Sequence, residues 1–156
     1  MEKLDVRILE LETMRVASVH GFGASPEGVA WEKLVAWAQP QGYLDDLEAH
    51  RVFGFNNPSP AVGSPNYGYE FWIELHEGEP GPGAPAAEIK EFGGGRYAVT
   101  HCTGVQNIEA TWGQFGAWLE RSEYRMGSHQ WLERHCSRVD ESPEKLEMDL
   151  YLPIEA

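Results

Sequence analysis

Residues 8–43 and 89–124 repeat the same residue types in the same order, and this duplication restricts the fold more than any other feature. At an offset of 81 positions, Ile8 meets Ile89, Glu10 meets Glu91, Arg15 meets Arg96, Ala17 meets Ala98, His20 meets His101 and Gly23 meets Gly104. Further on, Trp31 meets Trp112, Ala36 meets Ala117, Trp37 meets Trp118 and Tyr43 meets Tyr124. Average residue usage would supply roughly two or three such identities by chance. Each half reads as strand, glycine turn, a helix with Trp-x-x-(Leu/Phe)-x-x-Trp, then Tyr.

The seam falls at 77–87, EGEPGPGAPAA, where proline and glycine are too dense for an element. The first half is about 1–76, the second 88–156, and 1–156 reads as one domain. Neither half can bury its apolar face alone, so the two are expected to pair around a pseudo-twofold axis. Extended segments are expected at Val6–Leu11 and Arg15–Val19. Ser25 reads as a cap and Pro26 as the first residue of a helix ending before Pro40. Strands are expected at Arg51–Phe55 and Tyr67–His76, around a three-proline loop at 56–66. The second half repeats this order. Glu88–Phe92 leads into Arg96–Cys102, Asn107 caps a helix over Ile108–Arg121, and strands follow at Gln130–His135 and Glu147–Pro153. The expected fold class is α+β, with duplicated β-α-β-β halves, antiparallel sheet and a ligand cleft between the halves.

Composition then removes function classes. A net charge of -13 opposes phosphate backbones, so the chain alone is not expected to bind nucleic acid. No apolar run approaches the roughly 20 residues of a membrane helix, and Met1–Glu12 is charged throughout, so a cytoplasmic protein is expected. Cys102 and Cys136 read as free thiols. Metal and cofactor are both expected to be none. The sequence offers no His-x-x-x-His, no clustered Cys and His and no nucleophile elbow, and Gly93–Gly95 lacks the Lys of a phosphate loop. Cys136 beside His135 is set aside as a nucleophile pair because adjacent strand residues face opposite ways. His20 and His101 read as turn or packing residues.

The candidate site comes from strand alternation. Tyr69, Phe71, Ile73 and Leu75 share the face under a helix, leaving Glu70, Trp72 and Glu74 on the other. In the closing strand Met148, Leu150 and Leu152 face in, and Glu147, Asp149 and Tyr151 face out. The helix-free face therefore carries an acid two residues from an aromatic in each half: Glu70 with Trp72, and Asp149 with Tyr151. Trp131 with Glu133 is expected to add a third pair. Rings stack on flat molecules and attract cations, and a recessed carboxylate favours a cationic partner.

The opening VRILELETMRVASVHGFG, the duplication, the Trp-Leu-Glu-Arg-Ser-x-Tyr passage at Trp118–Tyr124 and the ending Asp149-Leu150-Tyr151-Leu152-Pro153-Ile154 together resemble the GyrI-like family. These are effector-binding domains of multidrug-sensing transcription regulators and their free-standing relatives; this chain is similar to the latter. The resemblance implies a buried Glu for lipophilic cations at Glu133, with Asp149 and Tyr151 as the closing acid and Tyr. The expected function is binding of flat, hydrophobic, cationic drug-like or xenobiotic molecules, as a sensor or sequestering protein. The alternatives are a hydrolase of cyclopropane-bearing DNA alkylators, with Glu133 as base beside Trp131 and Trp72, and a gyrase-inhibitor-like protein. The partner is a lipophilic small molecule, and the chain is a monomer or dimer.

Overall fold

The computed structural model describes residues 4–79 and 87–156, so most of the proline-glycine seam, residues 80–86, lies outside them. In chain order the strands and helices are β1 (Val6–Leu11), β2 (Met14–Gly23), α1 (Pro26–Ala38), β3 (Val52–Asn56), β4 (Tyr67–Leu75), β5 (Glu88–Phe92), β6 (Gly95–Thr103), α2 (Ile108–Arg121), β7 (Leu132–His135) and β8 (Glu147–Pro153). The α+β class and the antiparallel pairing hold throughout. Ser25 and Asn107 stand at the helix starts, but neither side chain bonds a helix N–H. Asn107 instead donates its amide to the Thr103 carbonyl.

The strands form two compact units, Met14–Phe92 and Met1–Thr13 with Gly93–Ala156. This grouping crosses the sequence repeat. β5, the first strand of the second half, pairs with β2, while β1 pairs with β6. Each unit thus takes in the first strand of the other half of the sequence.

In the unit Met14–Phe92, β4 pairs with both β2 and β3. The residues predicted to face the helix do so: α1 buries Ala30, Trp31, Leu34 and Ala38, and Trp31 meets Phe71 edge-on at 5.6 Å. α1 lies very close to β2 because of Gly21. A Cβ there would stand 2.5 Å from the Pro26 carbonyl oxygen and 2.7 Å from the Ala30 nitrogen.

In the other unit, β8 pairs with β6 and β7. Phe115 and Leu119 of α2 cluster with Met148, Leu150 and Leu152. These are the only α2 residues fully buried, against five in α1. The repeat supplies the cause. Cys102 stands where the first half has Gly21, and Thr111 where it has Ala30. Thr111 Oγ1 rests on Cys102 Sγ at 3.5 Å, so two side chains occupy the place where α1 backbone meets β2. Helix α2 accordingly buries less of its inner face.

Candidate functional site

Glu70 is a carboxylate taken almost wholly out of water. It is 3% exposed and accepts from Ser18 Oγ at 2.6 Å, Trp72 Nε1 at 2.7 Å, Asn57 Nδ2 at 3.0 Å and Lys90 Nζ at 2.7 Å. Burial alone would push its pKa up, but the bonds from Lys90, Ser18, Asn57 and Trp72 outweigh that and hold it below the ordinary value. Trp72 lies between Phe55 and Phe92, at 4.9 and 5.3 Å, and is itself buried. Beside this network is a polar cavity of about 550 Å³ bordered by His20, Lys33, Asn57, Glu88 and Lys90.

Asp149 repeats the pattern in its own unit. It faces away from α2, is 6% exposed, and accepts from Arg7 Nη2 at 2.8 Å and bonds His101 Nδ1 at 2.7 Å. His101 also bonds Glu147. Burial pushes the His101 pKa down, yet its bonds to Asp149 and Glu147 win and raise it. Tyr151 is buried beside Asp149's strand neighbours, its ring 5.4 Å from Tyr97. In both units a buried acid, on β4 or β8, receives its cation from the exchanged strand: Lys90 on β5, Arg7 on β1.

Trp131 and Glu133 lie elsewhere. Glu133 is opposite Leu150 across β7 and β8, and paired residues point to the same side. That side is the α2 side, not the helix-free face expected from the sequence. The Glu133 carboxylate accepts from Trp112 Nε1 of α2 at 3.0 Å. Trp131, 38% exposed, tilts against Trp112 at 5.2 Å. The rings continue along α2, with Trp112 stacked on Phe115 at 6.0 Å, Phe115 against Trp118 at 5.7 Å, and Trp118 stacked on Tyr124 at 6.0 Å. Trp112 matches Trp31 in the repeat. Trp31 is 5% exposed beneath α1, whereas Trp112 is half-buried and turns its N–H to a carboxylate. The expanded Cys102–Thr111 contact accounts for that difference.

Six predicted residues thus fall into three places. Glu70 and Trp72 share one bonded network, Asp149 and Tyr151 share one face of β8, and Trp131 and Glu133 both touch Trp112 of α2. Sequence reasoning missed Trp112, Lys90 and Arg7. The Trp31–Trp112 match was a signal for the first; no local pattern marks the other two.

The fold is that of a small-molecule effector-binding family. Residues 7–154 match the family Cass2, integron-associated effector binding protein, and the chain belongs to that GyrI-like family. Similar solved structures include an integron cassette protein from the mobile metagenome of Vibrio cholerae, at 12% identity and TM-score 0.59, covering 96% of this chain and 95% of that one. A hydrolase from Listeria innocua is similar at 13% identity and TM-score 0.68, covering 99% and 94%. SAV2435, solved bound to tetraphenylphosphonium, is similar at 11% identity and TM-score 0.57, covering 98% and 95%. No curated protein sequence matches the chain. Among the described residues, no helix is long and apolar enough to cross a membrane.

Proposed function

We propose that the chain binds flat, hydrophobic, cationic small molecules of drug or xenobiotic type, as a sensor or sequestering protein, and that Glu133, Trp112 and Trp131 receive them. The carrying observation is the Glu133 carboxylate held by the Trp112 indole at 3.0 Å beside the half-open Trp131 ring. A planar cation gains ring stacking and charge pairing there together. The bound tetraphenylphosphonium of SAV2435 supports a lipophilic cation as ligand class.

Indole fluorescence during titration with tetraphenylphosphonium and with a planar cationic dye tests this. Saturable quenching is expected. Glu133→Gln keeps the bond from Trp112 while removing the charge, and is expected to weaken both ligands about 10- to 100-fold, the worth of a charged hydrogen-bond partner. Equal affinity of the variant would refute the assignment.

The same three side chains favour a second reading. A carboxylate flanked by stacked rings suits a general base that directs water onto the strained ring of a cyclopropane-bearing aromatic. Trp72, expected to share that role, is instead buried between Phe55 and Phe92. Mass spectrometry of such a compound after incubation decides: gain of one water that Glu133→Gln abolishes supports hydrolysis, and an unchanged compound removes it.

A further inference from the structure

Three side chains are brought together at the end of β4. His50 lies in the loop before β3, His76 follows β4, and Glu79 closes the turn in which its N–H bonds the His76 carbonyl. One ligand atom from each lies within 4.8 Å of the others. The Glu79 carboxylate straddles His50 Nε2, with both oxygens at 2.8 and 2.9 Å, and its Oε1 accepts the His76 backbone N–H at 2.6 Å.

We propose that His50, His76 and Glu79 bind one divalent transition-metal ion of zinc type. Two imidazoles and a carboxylate are a borderline donor set that such ions prefer over calcium or magnesium. Bonds of about 2.0–2.1 Å in a tetrahedron set ligand atoms about 3.3 Å apart. The His50–Glu79 contact therefore opens by only about half an ångström, with the metal replacing the shared proton.

The surroundings orient the ligands. His50 stacks on Tyr43 at 4.7 Å and tilts against His76 at 4.5 Å. His76 Nε2 bonds the Ala49 carbonyl, the type of outer bond that fixes a ligating ring and leaves its other nitrogen as donor. The His50 and Glu79 side chains are 15% and 24% exposed, so ion and water can enter. Arg15 bonds the Glu79 carbonyl and opposes the ion, while Glu74 lies near enough to interact with His76 and favours it. The grouping of His101, Cys136 and Asp149 fits less well, because the Arg7 guanidinium already occupies Asp149. His76 and Glu79 share one turn but His50 comes from a separate loop, which is why spacing along the sequence gives no metal pattern.

Chelator-treated protein titrated calorimetrically with zinc chloride tests the site. One saturating site is expected. His50→Ala and Glu79→Gln should each weaken it more than about tenfold, and His101→Ala should not. Cobalt(II) should give visible absorption of a low-coordinate ion, lost in His50→Ala. Glu79→Gln preserves shape and can still accept the His76 N–H, and circular dichroism checks that the variants are folded. Absence of saturable uptake overturns the proposal, as does uptake removed by His101→Ala but untouched by His50→Ala.

Discussion

Replacing Lys90 by Met isolates the counter-ion of a buried carboxylate while keeping most of the apolar stem. Breaking one side of a buried pair costs about 3–5 kcal/mol, and an exposed pair is worth about 0–1 kcal/mol. The Glu70 side chain is 4% exposed and that of Lys90 40%, which puts this pair between those limits, at about 2 kcal/mol. For a chain this long that lowers Tm by about 4–8 °C at pH 7. The pH dependence carries a sign as well. In the native protein Glu70 has a depressed pKa, so its contribution is present above the ordinary value of 4.5 and lost as pH falls through the lowered value. Without Lys90 the largest of the bonds that hold it down is gone, so the variant's pKa lies higher than the native one. Relative to the native protein, the variant is then penalised as pH rises through its own value and relieved below it. Differential scanning calorimetry from pH 7 downward should show the Tm gap between the two proteins shrinking as pH falls. Glu70→Gln in the Lys90→Met background should recover part of the loss at pH 7. Equal Tm at pH 7, or a gap that does not change with pH, would refute the reasoning.

Two further outcomes are expected. His135 is buried and its pKa is pushed down to about 3, so the unfolded chain takes up a proton below the ordinary 6.5 that the folded chain refuses. Stability should therefore fall by about 1.4 kcal/mol per pH unit between those values, and His135→Gln should flatten the slope of Tm between pH 6.5 and 5. Cys102→Gly with Thr111→Ala should let α2 settle as α1 does, reducing acrylamide quenching of Trp112 and weakening cation binding more than about tenfold. Unchanged quenching and affinity would show that these two side chains do not hold the recess open.

What the sequence discloses follows from how local each signal is. The alternation in β4 and β8 is long, so the faces of Glu70 and Asp149 are legible from the pattern. β7 is short, and its four residues, Leu-Glu-Arg-His, include buried side chains at both ends. No alternation sets its face, and register against β8 decides that Glu133 points toward α2. Strand exchange is equally hidden. Ile8 and Ile89 occupy matching places in strands of similar character, so composition cannot tell which strand each pairs with. The counter-ions travel with those strands, and Lys90 and Arg7 could not be assigned to acids without the pairing. The distance of α2 from its sheet, by contrast, was written in the repeat as Gly21 against Cys102.

The exchanged strands also order events as the chain is made. The unit Met14–Phe92 is continuous and contains β2, β3, β4 and β5, which pair with one another. It can close while the remainder is still being synthesised. β1 has the opposite fate: Val6 pairs with Thr100 and Leu11 with Gly95, so the earliest strand to emerge waits for almost two thirds of the chain before it finds a partner. An apolar strand held waiting is a template for unwanted pairing between nascent chains. Within VRILEL, Arg7 and Glu10 interrupt the apolar run, the kind of charge that keeps such a segment soluble. Each later acquires a partner, Arg7 on Asp149 and Glu10 on Arg96. The charges that keep the waiting strand soluble become, once β6 and β8 arrive, the ones that fasten it.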